Sequence, residues 1–248
     1  MTYCVAMSLD QGLVFASDSR TNAGVDHISI YRKMRIWTRE DERVIVLMSA
    51  GNLAITQAVL AIIERNIKAE NPESSLLLVD SLHSCARLVG QAVREVHQQD
   101  AKALKEAGVD FNVSLILGGQ IKGEGQRLFL IYSAGNFIES APETPYFQIG
   151  ETKYGKPIID RVITPASDLT RAAKCALLSL DSTIRSNLTV GLPIDLLIYR
   201  RDELKVASHH LIESDDSYFN DIRGRWGQGM KELFQHLPDP PWMGDGEE

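Results

Sequence analysis

Residues 2–9 (TYCVAMSL) form a short apolar, partly β-branched run. The turn signal Asp10-Gln11-Gly12 follows, and LVFAS at 13–17 resumes the apolar run. The pattern predicts a β-hairpin whose first strand begins at Thr2. In ISIYRKMRIW, residues 28–37, Ile28, Ile30, Arg32, Met34 and Ile36 alternate with Ser29, Tyr31, Lys33, Arg35 and Trp37, which predicts a third strand. Residues 43–49 (RVIVLMS) are apolar almost throughout, as in a strand covered on both faces. Ala50-Gly51-Asn52 ends the strands, with Asn52 as a candidate N-cap.

The period then changes. Leu53, Val59, Leu60, Ile63 and Ile67 share one helical face up to the break at Asn71-Pro72, and Leu78, Leu82, Cys85, Val89, Val93 and Val96 predict a second helix over 76–106. Strands are expected at 111–118 and 127–133, joined by a Gly-rich turn, with a strand pair over 137–149. Helices follow at 154–163 and 168–187, strands at 193–200 and 205–210, and a last helix at 215–236. Strands grouped apart from helices argue against a doubly wound parallel sheet. Two antiparallel sheets packed together, with helices outside each, would bury every apolar face. The expected class is α+β, with one domain over 1–236 and an exposed acidic, Pro/Gly-rich tail over 237–248.

Composition narrows the function. The 248 residues are 44% hydrophobic and 24% charged, ordinary for a globular chain. A net charge of −7 gives no case for nucleic acid or an anionic membrane as partner. Neither a secretory signal nor a run of about 20 apolar residues is evident. Cys4, Cys85 and Cys175 are odd in number and far apart, which points to a reducing cytoplasm rather than a disulfide framework. The N-glycosylation matches at Asn112-Val113-Ser114 and Asn187-Leu188-Thr189 are then read as chance.

The usual catalytic constellations fail. Gly118-Gly119-Gln120-Ile121-Lys122-Gly123 lacks the ending of a phosphate loop and reads as a hairpin turn. His209 and His210 are neighbours on a strand and point to opposite faces, so no metal site is expected. His83, His97 and His236 lie on helices without a second ligand. No Gly-x-Ser-x-Gly elbow exists, and no cofactor is implied.

The amino terminus remains. Met1 ahead of a small side chain is a substrate for removal, and Thr2 then carries a hydroxyl that can attack a carbonyl and an α-amine that can take the proton. Such an amine has a pKa of about 7.7–8.0, suited to general-base work. Lys33 would lower it further by like-charge repulsion, Asp18 would pair with Lys33, and the Gly51 N–H would stabilise an oxyanion.

Thr2 at a strand start, the Asp-Gly turn, Ala16-Ser17-Asp18-Ser19-Arg20, Lys33 after Tyr31-Arg32, and Ser49-Ala50-Gly51 before a helix resemble the β-type subunits of proteasomes. The fuller opening, TYCVA…GLVFASDSRTNAGVDHIS…RKM, is similar to their bacterial branch, Anbu, the ancestral β-subunit. The resemblance is dense over residues 2–55 and continues in element order over most of the chain. It implies the N-terminal-nucleophile hydrolase fold, a four-layer αββα sandwich, and a threonine-type peptidase built from many identical subunits in a ring or helical stack. It implies Thr2 as nucleophile, Asp18 and Lys33 as its polar partners, and Gly51 as oxyanion donor. Thr21 and Asn22 would bind substrate backbone, while Ser49 and Leu53 would line a specificity pocket for an uncharged side chain.

Two departures are expected to alter the nucleophile's surroundings. Glu151 stands where the family carries a serine, and Asn187 where it carries an aspartate, with Val190 in place of a nearby serine. Three functions stay open: a peptidase acting on peptides or unfolded protein, an amidohydrolase acting on a small amide, and a non-catalytic assembly module. No ATP-binding motif is evident, so work on folded proteins would need a separate unfoldase or adaptor.

Overall fold

The hairpin at the start of the chain is formed by β1 (Tyr3–Leu9) and β2 (Gly12–Asp18), with Thr2 at the open end of the first strand. The computed structural model describes residues 2–22 and 28–243. Its first compact unit is Met1–Ser214 and its second is Asp215–Glu248.

In the first unit, the hairpin is central to one antiparallel sheet of order β10-β1-β2-β11-β12, with β10 at Tyr146–Gly150, β11 at Ile194–Arg200 and β12 at Val206–Ile212. The second antiparallel sheet has the order β5-β6-β7-β8-β9. Its strands are β5 (Met34–Arg39), β6 (Arg43–Gly51), β7 (Val113–Ile121), β8 (Arg127–Ile131) and β9 (Phe137–Glu139). The continuous apolar run in β6 is explained by its two buried faces. Val44, Val46 and Met48 meet Leu13, Phe15, Leu197 and Tyr199 of the first sheet. Ile45 and Leu47 meet Val59 and Ile63 of α1 (Leu53–Lys68) and Val89 and Val93 of α2 (Leu82–Glu106). On the far side, α3 (Lys156–Val162) and α4 (Leu169–Ser186) complete the four layers of the αββα sandwich.

Several predicted elements differ. The strands expected as a pair over 137–149 lie in different sheets, β9 pairing with β8 and β10 with β1, and Gly118–Ile121, expected in a hairpin turn, complete β7. The strand expected over 28–37 is divided into β4 (Ile28–Ile30), which pairs with β3 (Arg20–Asn22), and β5, because Arg32 and Lys33 leave the ladder to reach buried carboxylates. The helix expected from residue 76 begins at Leu82. Ser81 caps it through a hydrogen bond from the Ser84 N–H, while the Arg43 guanidinium donates to the carbonyls of Leu76 and Val79 and holds the preceding segment in turns. The second unit carries α5 (Ser217–Gln235), capped by Asp216, and a 3-10 turn at Pro241–Met243.

Phe15 is fully buried between the sheets. A Cβ on Gly118 would lie 2.9 Å from its ring, so the opposing strand has no spare room to fill a void. Phe15→Ala is expected to cost about 3–5 kcal/mol, read as a lower urea midpoint at unchanged m-value.

Candidate active site

Thr2 is held by its backbone. Its carbonyl accepts a 2.6 Å hydrogen bond from the Glu151 N–H. This approach requires glycine at 150: Gly150 has φ +84°, and a Cβ there would lie 1.9 Å from the Thr2 oxygen. The next residue is tied down at both ends. The Tyr3 amide donates to Asp18 Oδ1 at 2.9 Å. Its buried phenol meets Ser179 Oγ of α4 at 2.6 Å and accepts from Gln148 at 2.5 Å. The Thr2 side chain is half-buried. Met1, on whose removal a free amine depends, lies outside the described residues.

Asp18 and Lys33 form an ion pair with side-chain exposures of 0% and 4% and an Nζ–Oδ1 distance of 2.5 Å. Lys33 also donates to the Arg20 carbonyl at 2.7 Å, and Asp18 Oδ2 accepts from the Gly191 N–H at 3.4 Å. Burial pushes the Asp18 carboxyl above the usual carboxylate range, while Lys33 and the amides of Tyr3 and Gly191 pull it back. A single oxygen, Oδ1, therefore accepts both from the ammonium and from the amide directly following Thr2.

Gly51 ends β6 with φ +115°, and a Cβ would lie 2.3 Å from the Asn112 carbonyl. The Ser49 N–H donates across to the Lys33 carbonyl at 3.1 Å. Two residues further along, strand alternation turns the Gly51 N–H toward the same side, beyond the first residue of β5. Thr2 and Gly51 line one open cavity of about 440 Å³ together with Ala50, Asn112, Ser114 and Gly150.

The other predicted site residues are placed as follows. Thr21 and Asn22 end β3, and Thr21 is half-buried. Ser49 is buried, its hydroxyl 3.5 Å from the Lys33 carbonyl, and Leu53 opens α1, half-buried. Thr21, Ser49 and Leu53 are not among the described residues that line the cavity shared by Thr2 and Gly51. Glu151 and Asn187 are joined, the Asn187 amide donating to Glu151 Oε2 at 3.1 Å, while Asn187 Oδ1 accepts from the N–H and hydroxyl of Thr189. Glu151 and Asn187, the two expected departures, thus hydrogen-bond each other beside the backbone that holds Thr2.

Sequence reasoning missed Asn112 and Ser114 as cavity residues. Ser114 lies in β7 and Asn112 just before it, far beyond Gly51 in the chain, and only the pairing Gly51–Val113 brings them there. Among the described residues no group of His, Cys, Asp or Glu is arranged to hold a metal ion, and no helix is long and apolar enough to cross a membrane.

Two sheets enclosed by helices, with a threonine at the open end of the first strand, define the N-terminal-nucleophile fold class. The proteasome-subunit family model matches residues 2–198. No curated protein matches. Among solved structures, Anbu from Yersinia bercovieri is 51% identical, with a TM-score of 0.90 over 96% of this chain and 98% of that one. An Anbu mutant (Gly-1) from Hyphomicrobium sp. strain MC1 is 48% identical, with a TM-score of 0.91 over 97% and 99%. Anbu from Pseudomonas aeruginosa, described as a helical assembly, is 46% identical, with a TM-score of 0.93 over 98% and 100%. The chain belongs to the proteasome-subunit family, in its Anbu (ancestral β-subunit) branch.

Proposed function

We propose that the protein is a threonine peptidase that hydrolyses peptide bonds in peptides or unfolded segments, with Thr2 exposed by removal of Met1. The observation that carries this reading is the shared oxygen of Asp18, which ties a buried ammonium to the amide that follows Thr2. In the reaction, Thr2 Oγ1 attacks the scissile carbonyl and the α-amine takes its proton. The Gly51 N–H holds the oxyanion. Collapse of the tetrahedral intermediate breaks the C–N bond, the amine returns the proton to the leaving nitrogen, and an acyl ester remains on Thr2. Water, deprotonated by the same amine, hydrolyses the ester. Lys33 keeps the amine largely unprotonated at neutral pH by charge repulsion, and Asp18 holds the Lys33 side chain in place. The open cavity between Thr2 and Asn112 supports a substrate that continues past the reacting bond rather than a small enclosed amide.

The similar protein from Pseudomonas aeruginosa, a helical assembly, supports a large homo-oligomer here. Three free cysteines support work in the cytoplasm. A separate unfoldase or adaptor would deliver folded substrates.

The test is intact mass spectrometry before and after incubation with a β-lactone. The untreated chain should lack the mass of methionine. Ring opening expels nothing, so the treated chain should gain the full lactone mass, with the acyl group on Thr2 in peptide maps. A chain that retains Met1 and takes no label would overturn the proposal.

A further inference from the structure

Lys33 is not part of a strand. It ends a three-residue segment, Tyr31–Lys33, that lies between β4 and β5. The segment is fixed at one end by the Tyr31 N–H on the Ser19 carbonyl at 2.8 Å and at the other by the Lys33 carbonyl on the Ser49 N–H. Between them stands Arg32, whose guanidinium forks onto Asp195, with Nε–Oδ2 and Nη2–Oδ1 both at 2.9 Å. Asp195 is fully buried in β11, and its second contact is His209 Nε2 of β12, 2.5 Å from Oδ1. His209 Nε2 also lies 3.2 Å from Arg32 Nη2.

The register gives this cluster its meaning. Asp18 pairs with Ile194, and Ser17 pairs with Asp195. Side chains one step apart on a strand face opposite ways, so Asp18 and Asp195 serve opposite faces of the first sheet. Arg32 and Lys33 are also consecutive, and each meets one of these carboxylates. Two consecutive cations of one short segment are thus each fixed by a carboxylate of neighbouring strands. A bidentate Arg–carboxylate pair restrains orientation as well as distance, and Asp195 cannot release Arg32 without leaving a buried charge short of its counterion. Nothing in the proposed chemistry uses Asp195, Arg32 or His209 directly.

The geometry points to Asp195 as a positioning residue for Lys33, acting through Arg32 and braced by His209; this rests on the proposed role of Lys33 beside the Thr2 amine. Other ionisable groups face the pair. Asp18 is bound to Lys33 itself. Cys4 of β1 lies near both carboxylates, but burial pushes its thiol up, so it stays protonated through the neutral range.

The experiment follows β-lactone acylation of Thr2 against pH in the full-length chain, comparing wild type with Asp195→Asn, Arg32→Met, their double variant and Lys33→Ala. Acylation at pH 7 should fall about 3–10-fold in Asp195→Asn, the loss of free amine expected as its pKa rises toward the ordinary value. The apparent pKa of the profile should move up toward that of an ordinary α-amine, about 7.7–8.0. Arg32→Met should do the same, and the double variant should be no worse than either, as expected for two residues acting as one unit. A residue that only supports the fold would lower the melting temperature and leave the profile's pKa in place. Arg32 is half-exposed, so its variant carries the test if Asp195→Asn does not fold. Wild-type profiles in both single variants, with a displaced profile in Lys33→Ala, would overturn this inference alone. An unmoved profile in Lys33→Ala would overturn the role of Lys33 and this inference with it.

Discussion

Thr2→Ala is expected to abolish peptide hydrolysis, by on the order of 10⁴-fold or more, while the chain assembles as before. The variant removes the attacking hydroxyl together with one methyl group. The strand behind it is held by contacts that do not involve that side chain: the Thr2 carbonyl on the Glu151 amide, the Tyr3 amide on Asp18, and the Tyr3 phenol against Ser179. Loss of a nucleophile from a unit of cooperating groups removes nearly all that the unit contributes. The check is a peptide-release assay on samples matched by size and melting temperature. Undiminished turnover would mean that the nucleophile lies elsewhere in the chain.

Lys33→Ala is the second large effect, and it should appear in two measurements. Removing the ammonium leaves Asp18 buried and without its countercharge, expected to cost about 3–5 kcal/mol of stability. It also removes the repulsion proposed to lower the Thr2 amine pKa. The amine then gains a proton more readily, less of it is a free base at pH 7, and the acidic limb of the pH–rate profile moves to higher pH. At neutral pH the rate should drop up to roughly 10-fold, because an amine returned to a pKa of about 7.7–8.0 keeps only about a tenth of its free base at pH 7. Combining Lys33→Ala with Asp18→Asn separates the two consequences. The double variant should recover part of the stability, because the stranded charge is gone, and none of the rate. Recovery of both would reduce the pair to a structural ion bridge.

Much of this molecule is legible without coordinates. The apolar runs 2–9 and 13–17 around their turn and the doubly apolar 43–49 specify strands, and the helical spacing through Val59, Val89 and Val93 specifies the layer that covers them. These are local properties, since each element must bury the face that its own pattern makes apolar. Thr2, Asp18, Lys33 and Gly51 were also legible as candidates, because attack, proton transfer and oxyanion binding demand those groups, and because the run from Thr2 to Gly51 resembles a family in which they occur together.

The tertiary structure decided the rest, and in each case the partner is remote in sequence. Residues 28–37 alternate as a strand should, yet the ladder breaks at Arg32 and Lys33. Two buried carboxylates outbid the pairing, and one of them, Asp195, is 163 residues away. Leu78 fits the helical pattern of α2, yet the helix starts at Leu82, after Arg43 has taken the Leu76 and Val79 carbonyls. Asn112 and Ser114 look like a chance motif until the β6–β7 register sets them beside Thr2. Periodicity records which face of an element is apolar. It carries no information about which charged group from another strand will meet an arginine or a lysine there. The chain alone therefore determines the layers and the reagents, and the packing of the two sheets determines how those reagents are held.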